Sequence, residues 1–252
     1  MKYNWNWGIL LSPEPGGTGT YLHYLIVGLG WTLATALAAW VIALVIGSLV
    51  GTLRTTTSPW VVRIGNGYVE IFRNIPLIVQ MFLWFFVFPE FLPKGLGDAI
   101  KQMPPPWSSY IPAVLCLGIF TSVRVAEQVR AGIQSLPRGQ RMAGTAMGLT
   151  QYQTYRYVIL PQAFRIIMPP LTSEFMNVIK NSSVALTIGL LELTGRARAM
   201  QEFSFQVFVA FAAATVIYLL TNLVVVLGMR ALERKIRVPG LIAAGGAPLA
   251  GH

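Results

Sequence analysis

The chain has 252 residues, of which 54% are hydrophobic and only 11% are charged, whereas soluble domains carry roughly a quarter charged residues. The formal net charge is +10, but the basic residues stand in clusters between apolar runs, as in the cytosolic loops of membrane proteins. This placement excludes a nucleic-acid-binding domain and indicates an integral membrane protein in a lipid bilayer. The single Cys116 and the isolated His23 and His252 form no disulfide or metal-ligand pattern.

The first twenty residues are predicted to lie at the membrane surface. Trp5, Trp7 and the apolar residues 9–11 suit an amphipathic segment whose apolar side enters the membrane interface. We therefore assign residues 1–20 to an interfacial N-terminus.

Five membrane-spanning helices are predicted between residues 21 and 230. Three contain charge-free runs of at least the ~20 residues that a helix needs to cross the hydrocarbon core, and two are interrupted by polar residues. The spans are approximately residues 21–53, 69–91, 110–133, 166–191 and 205–230. The fold class that we expect is an all-α integral membrane protein with about five transmembrane helices, in which residues 21–238 form one domain.

The basic residues predict the orientation of these spans. One set of loops is richer in Lys and Arg than the opposite set and therefore faces the cytosol. This rule places the N-terminus in the periplasm and the C-terminus, including the Gly- and Ala-rich tail 239–252, in the cytoplasm. The richer set holds Arg54, Arg63, Arg130, Arg138, Arg141, Arg156, Arg165, Arg230, Arg234, Lys235 and Arg237, against Lys94, Lys101, Arg196 and Arg198.

The longest cytosolic loop, residues 136–161, carries a spaced pattern. Met142-Ala143-Gly144 is followed after three residues by Gly148, then by Val158 and by Leu160-Pro161. This spacing resembles the coupling loop of binding-protein-dependent importer permeases, in which Glu-Ala-Ala, Gly, an aliphatic residue and Leu-Pro stand at the same intervals. Met142 replaces the glutamate of that family, so we expect docking here to rest on packing.

Two further segments resemble polar amino-acid permeases, most closely the glutamate/aspartate branch. They are residues 70–80, Glu-Ile-Phe-Arg-Asn-Ile-Pro-Leu-Ile-Val-Gln, and residues 179–185, Ile-Lys-Asn-Ser-Ser-Val-Ala, which are followed by Glu192-Leu-Thr. With the loop, the resemblance covers about residues 20 to 230. It implies the architecture of a type I ATP-binding-cassette (ABC) importer permease that moves acidic amino acids across the bacterial inner membrane by alternating access.

The resemblance also implies the partners. They are a second, similar permease, for which we expect a different chain, two ATPase subunits and a periplasmic amino-acid-binding protein. Because the sequence has no Gly-x-x-x-x-Gly-Lys-Ser/Thr phosphate loop, ATP and Mg are expected on the partner ATPase, with no cofactor on this chain. We predict a translocation subunit and not an enzyme.

The coupling role is assigned to residues at both ends of the loop. Small residues should let a short helix approach the ATPase closely, Gly148 should permit a sharp turn, and Pro161 should stop the helix that enters it. The coupling residues are Met142, Ala143, Gly144, Thr145, Met147, Gly148, Leu160 and Pro161.

Arg124 and Glu127 lie three residues apart inside the third span. A charge within a span is costly, so it marks a functional site by default. Arg124 either neutralises Glu127 across one helical turn or binds a substrate carboxylate in the bidentate manner of guanidinium. Relatives commonly carry Ala-Tyr where this chain has Val123-Arg124, and the added cation favours an anionic substrate.

Lys180, Asn181, Ser182 and Ser183 form a second candidate for substrate binding. Four polar side chains in mid-span indicate local unwinding around a small cavity, or else a polar contact with the partner permease. Asn74, beside Arg73, is expected near the cytosolic gate, and Glu174 in a structural ion pair.

Rival functions follow from the same residues. If Arg124 is structural, the importer would carry a neutral or basic amino acid such as glutamine or histidine. A channel, a secondary transporter or a membrane scaffold would have no use for the coupling-loop pattern.

Overall fold

The computed structural model describes residues 5–17 and 19–236, and all the regular elements in this part of the chain are helices. Eleven α-helices follow one another, with short 3₁₀ helices at Trp7–Leu11 and Ser182–Ile188 and π-helical turns at Leu83–Val87 and Tyr155–Ile159. The α-helices are α1 Tyr21–Leu53, α2 Pro59–Asn74, α3 Leu77–Phe82, α4 Phe88–Phe91, α5 Lys94–Lys101, α6 Trp107–Gln134, α7 Arg138–Ala146, α8 Gln151–Thr154, α9 Leu160–Asn181, α10 Leu193–Ser204 and α11 Val207–Ile236. The expected all-α fold is confirmed.

Three of the described helices are long and apolar enough to cross a membrane, namely α1, α6 and the Val207–Lys235 stretch of α11. The pair Pro59–Asn74 and Leu77–Phe91 makes a fourth candidate if it counts as one broken span. Helix α9 has 22 residues but is not among the candidates. It packs against α1, α6 and α11, and polar residues such as Glu174 and Thr172 are partly covered by protein, whereas Arg165 and Lys180 are exposed.

The predicted second span, residues 69–91, is wrong as a single helix, because the chain bends by 101° between Asn74 and Leu77. Pro76 disfavours helical geometry at the residue before it, and Ile75 is extended, with φ −98° and ψ 125°. The buried amide of Gln80 donates to the carbonyl oxygens of Phe72 at 2.8 Å and Ile75 at 3.0 Å. This side chain supplies donors to carbonyls that the end of α2 would leave without partners.

The centre of the fold is the contact between α1 and α6. A Cβ atom on Gly47 would stand 2.6 Å from the Cβ of Val125 and 2.7 Å from the carbonyl oxygen of Ser122. Because the glycine has no side chain, the two backbones approach more closely than larger residues allow, as in other membrane helix pairs. Helices α2 and α9 also pack against α6, which gives α6 neighbours on several sides.

The N-terminal segment lies against the starts of α1 and α11. Ile9 and Leu10 pack on a core cluster that includes Tyr21 and Val209, while Trp5 and Trp7 are exposed and stack with ring centroids 5.8 Å apart. Its role at the membrane interface stays a prediction. The tail 239–252, like Arg237, lies outside the described residues.

Candidate substrate and coupling sites

Arg124 projects from α6 toward α9. Its Nη1 lies 3.5 Å from Glu174 Oε2, and its guanidinium carbon lies 5.3 Å from the centroid of the Phe120 ring. The Arg124 side chain is 46% exposed, whereas that of Glu174 is 14% exposed. The structure thus pairs Arg124 with the acid one helix away and leaves much of its guanidinium accessible.

Glu127 has other partners, so the interpretation in which it neutralises Arg124 is wrong. Arg54, at the end of α1, places its Nη2 3.1 Å from Glu127 Oε1 and donates through Nε to Asn66 Oδ1 at 2.8 Å. Arg73 on α2 comes within 4.0 Å of the same Glu127 oxygen. The side chain of Arg54, a predicted loop residue, is only 4% exposed.

These five side chains form what we call the charged layer: Arg54, Arg73, Arg124, Glu127 and Glu174. It joins α1, α2, α6 and α9 through three ion pairs. With three guanidiniums and two carboxylates, its formal charge is positive when all five groups are ionised. Such a layer can attract and orient an anion by charge-assisted hydrogen bonds, and it contains no nucleophile–base pair.

The polar segment at residues 180–183 coincides with the end of α9. The α-helix gives way to a 3₁₀ helix at Ser182, which is wound more tightly than an α-helix and is not the local unwinding that we predicted. Ser182 is fully buried and donates to the Ile179 carbonyl at 2.8 Å, so its hydroxyl does not face an open path. Lys180 is exposed, and Asn181 lies seven residues beyond Glu174, on the same helical face. Ser183 donates to the Lys180 carbonyl at 2.7 Å.

Asn74 is the last residue of α2 and is exposed. Its amide donates to the Glu70 carbonyl at 2.8 Å, within its own helix. Its neighbour Arg73 enters the charged layer, so the structure brings Asn74 near the layer without a side-chain contact between them.

The predicted coupling loop forms a helical projection. Helix α7 ends at Ala146, and Gly148 reverses the chain with φ +76°, a conformation that favours glycine. Ala143 and Thr145 are exposed, and the side chain of Thr145 donates to the Arg141 carbonyl. Met142 and Met147 are 70% and 78% exposed.

Gly144 does not have the predicted role at the partner surface, because it is buried against this chain. A Cβ on Gly144 would lie 2.7 Å from Thr154 Cγ2 and 2.8 Å from Thr154 Oγ1. The small residue therefore allows α7 to pack on α8. The exposed methionines present the apolar surface of the loop.

Pro161 does not stop the helix that enters it, contrary to the prediction. The π-helical turn Tyr155–Ile159 runs directly into α9, which starts at Leu160. Leu160 N–H bonds to the Tyr155 carbonyl, five residues back. This wider turn accommodates the residue that lacks a donor, since π-bulges relax the regular hydrogen-bond ladder.

Glu192 is a functional candidate that sequence reasoning noted only as part of a motif. Its buried carboxylate accepts hydrogen bonds from the backbone of Thr194 and Gly195 and from the hydroxyls of Thr32 and Tyr218. It thus caps α10 and ties it to α1 and α11. Glu is not among the residues preferred at an N-cap, so the sequence does not indicate this cap, and nothing in it identifies Thr32 or Tyr218 as partners.

Comparison with known proteins identifies the family to which this architecture belongs. The family model described as "binding-protein-dependent transport system inner membrane component" matches residues 43–238. The chain belongs to this family. As an inner membrane component it is a multi-pass translocation subunit with the architecture of a type I ABC importer permease.

Relatives of this inner membrane component share most of its length. The glutamate/aspartate import permease protein GltJ of Escherichia coli K12 is 48% identical over 241 residues, covering 95% of this chain and 98% of the relative. The glutamate/aspartate import permease protein GltK of Escherichia coli O6:H1 is 30% identical over 200 residues, covering 79% and 84%. A crystal structure of an amino acid ABC transporter with histidines superposes with a TM-score of 0.71 at 29% identity, covering 85% of this chain and 95% of that one.

Proposed function

We propose that the chain is a permease subunit of an ATP-driven, binding-protein-dependent importer of glutamate and aspartate. The observation that carries this proposal is the 48% identity to a glutamate/aspartate import permease over 95% of the chain. The half-exposed Arg124 guanidinium in the charged layer supplies a cation of the kind that an acidic substrate requires.

Arg124 is the residue that we assign to a substrate carboxylate. Glu174 approaches only one guanidinium nitrogen, at 3.5 Å, and its Oε2 forms no hydrogen bond. Since guanidinium carries five N–H donors, the others remain free for a bidentate carboxylate. Lys180, Asn181 and Ser183 are the polar groups at the end of α9 that we place beside the path.

Glu127 has a supporting role in this proposal. Its carboxylate accepts a charge-assisted hydrogen bond from Arg54 and lies near Arg73. It therefore holds two cations, Arg54 at the end of α1 and Arg73 at the end of α2, and we place the cytosolic gate here, next to Asn74. An anion that leaves Arg124 would meet this second positive region on its way to the cytosol.

The partners follow from the same proposal. GltJ and GltK are two different glutamate/aspartate import permeases, which supports pairing of this chain with a second, different permease. Two ATPase subunits carrying ATP and Mg would contact α7 through Met142 and Met147, and a periplasmic protein would deliver the substrate. We place the N-terminus in the periplasm and the C-terminus in the cytoplasm.

The test is ATP-dependent uptake of radiolabelled glutamate and glutamine into proteoliposomes that hold the reconstituted complex and its binding protein. Arg124→Gln should reduce glutamate uptake strongly and glutamine uptake little, and Arg124→Lys should recover only part because Lys lacks the planar fork. Arg198→Gln, in a surface pair with Glu202, is the matched control. Unchanged glutamate uptake in Arg124→Gln would contradict the assignment of this residue. Transport of glutamine or histidine without glutamate by the wild type would contradict the proposed substrate.

A further inference from the structure

A cavity of about 530 Å³ opens between two segments of the chain that are distant in sequence. One wall is the end of α1 and the connection to α2, residues 52–61, and the other is the α8 segment and the following π turn, residues 151–160. We call this cavity the loop groove. It is separate from the charged layer, since none of the five charged-layer residues lines it.

The floor of the loop groove is held by hydrogen bonds between its two walls. Tyr155, which is nearly buried, donates through its hydroxyl to the Thr55 carbonyl at 2.8 Å and lies 3.2 Å from the Thr55 hydroxyl. The Arg141 guanidinium lies over the Tyr155 ring, 5.4 Å from its centroid. The loop groove therefore lies between two segments whose relative position is fixed by hydrogen bonds.

The chemistry of the loop groove changes along its length. Leu53, Val61 and Leu160 provide apolar walls, and Thr57, Ser58 and Arg156 provide polar groups. Within the described chain, the hydroxyls of Thr57 and Ser58 form no hydrogen bond and Arg156 forms no ion pair, and no acidic residue lines the groove. The matching ligand is an amphiphile with an apolar part and an anionic, acceptor-rich head.

The position of the loop groove indicates that such a ligand would come from the membrane. Helix α1 has 33 residues and is about 50 Å long at 1.5 Å per residue, whereas the hydrocarbon core is about 30 Å thick. The groove adjoins the last residues of α1, where the chain leaves the hydrocarbon for the headgroup region. Basic residues at this level attract anionic lipids.

We propose that the loop groove binds an anionic phospholipid, with its phosphate at Arg156, Thr57 and Ser58 and its upper acyl chain along Leu53, Val61 and Leu160. The lipid joins the α1–α2 connection to the segment that follows the coupling loop. Assignment to the cytosolic leaflet rests on the proposed orientation of the chain. The binding itself depends on neither the orientation nor the transported substrate.

The test is native mass spectrometry of the purified complex, with its ATPase subunits, titrated in detergent with phosphatidylglycerol or with phosphatidylcholine of identical acyl chains. Wild type should bind phosphatidylglycerol about tenfold more tightly, a difference of about 1.4 kcal/mol, because the choline cation of phosphatidylcholine offsets the attraction of its phosphate to Arg156. Arg156→Gln should remove this preference. Arg165→Gln, which changes an exposed arginine of α9 outside the groove, should keep it.

A second variant separates the site from a general effect of charge. Thr57→Phe keeps every cation but fills an exposed position of the groove, and it should weaken the binding of phosphatidylglycerol as Arg156→Gln does. Equal binding of the two lipids by wild type, or full preference in Arg156→Gln, would overturn the proposal. Binding that occurs only after the ATPase subunits are removed would also overturn it, because the groove would then belong to the ATPase contact.

Discussion

Replacement of Glu192 by alanine is expected to destabilise the protein more than any other single change at a buried polar side chain that we consider. The carboxylate accepts from Gly195 N at 2.8 Å, Thr194 N at 3.0 Å, the Tyr218 hydroxyl at 3.0 Å and the Thr32 hydroxyl at 3.2 Å. The residue is 0% exposed. All four donors lose this acceptor at once in Glu192→Ala.

The loss of stability can be estimated from what each hydrogen-bond donor loses in the variant. Loss of the N-cap of α10 costs about 1 kcal/mol, and a buried donor left without a partner costs about 1–3 kcal/mol. Tyr218 keeps a second partner, since its hydroxyl lies 3.1 Å from the Thr194 hydroxyl, so the stranded Thr32 hydroxyl adds the larger share. The sum is about 2–4 kcal/mol, which lowers the melting temperature of a chain of this size by roughly 5–15 °C.

Glu192→Gln is the matched control. Its amide oxygen still serves the start of α10, and the Thr32 and Tyr218 hydroxyls can rotate to accept from the new NH₂ group. One backbone N–H is stranded, so the expected cost is about 1 kcal/mol. Tyr218→Phe, which removes one donor and keeps the acceptor, should cost a similar amount.

The assay is thermal unfolding of the purified complex in lipid nanodiscs, followed by intrinsic fluorescence. The expected order of melting temperature is wild type, then Glu192→Gln and Tyr218→Phe together, then Glu192→Ala well below. A melting temperature of Glu192→Ala within 2 °C of wild type, against the shift estimated above, would refute the reasoning. A Gln variant as unstable as the Ala variant would show that the negative charge, and not the number of acceptors, stabilises this junction.

Three further changes test the fold and the coupling loop. Gly47→Leu should prevent α1 from packing on α6, since even a Cβ would lie 2.6 Å from Val125 Cβ; recovery of a normal yield of monodisperse complex on gel filtration would contradict this. Gly148→Ala should strain the turn at φ +76° by about 1 kcal/mol and lower the ATPase activity that the binding protein stimulates in the reconstituted complex; an undiminished rate would argue against the coupling role. Gln80→Leu should leave two carbonyl oxygens at the end of α2 without their donor, at a cost of about 1–3 kcal/mol in thermal unfolding; wild-type stability would show that other donors replace the amide.

The membrane helices could be predicted from composition because a span in lipid must be apolar along its length. This rule identified α1, α6 and α11, whose hydropathy is high. It failed at residues 69–91, where the apolar content is suitable but Pro76 and the extended Ile75 turn the chain by 101°. Composition indicates whether lipid or water surrounds a segment, whereas the direction of the chain depends on the backbone angles of single residues.

The coupling loop could be predicted from spacing because its shape depends on local backbone requirements. Gly148 adopts the positive φ that the pattern requires. The role of Gly144 could not be predicted, since a small residue fits equally well against a partner protein or against Thr154 of the same chain. The predicted effect of Pro161 was wrong for a related reason. The preceding π turn lets the helix continue although Pro161 has no N–H donor, and no residue pattern predicts this turn.

The ion pairs show that spacing along one helix does not predict which side chains pair in a packed helix bundle. Arg124 and Glu127 are helical neighbours, yet each pairs with a different helix, because α6 is in contact with α1, α2 and α9. The resulting exposures distinguish the cations: Arg54 is 4% exposed and fixed by Asn66 and Glu127, whereas Arg124 is 46% exposed and contacts its acid through one nitrogen. Removal of the buried Arg54 guanidinium would lose packing and take from Glu127 its nearest cation, while the half-exposed Arg124 retains donors for an incoming anion. Accessibility therefore separates Arg124 from Arg54. Arg73 is also accessible, at 59%, but it lies near the end of α2, whereas Arg124 lies within α6, and this position makes Arg124 the candidate for substrate binding.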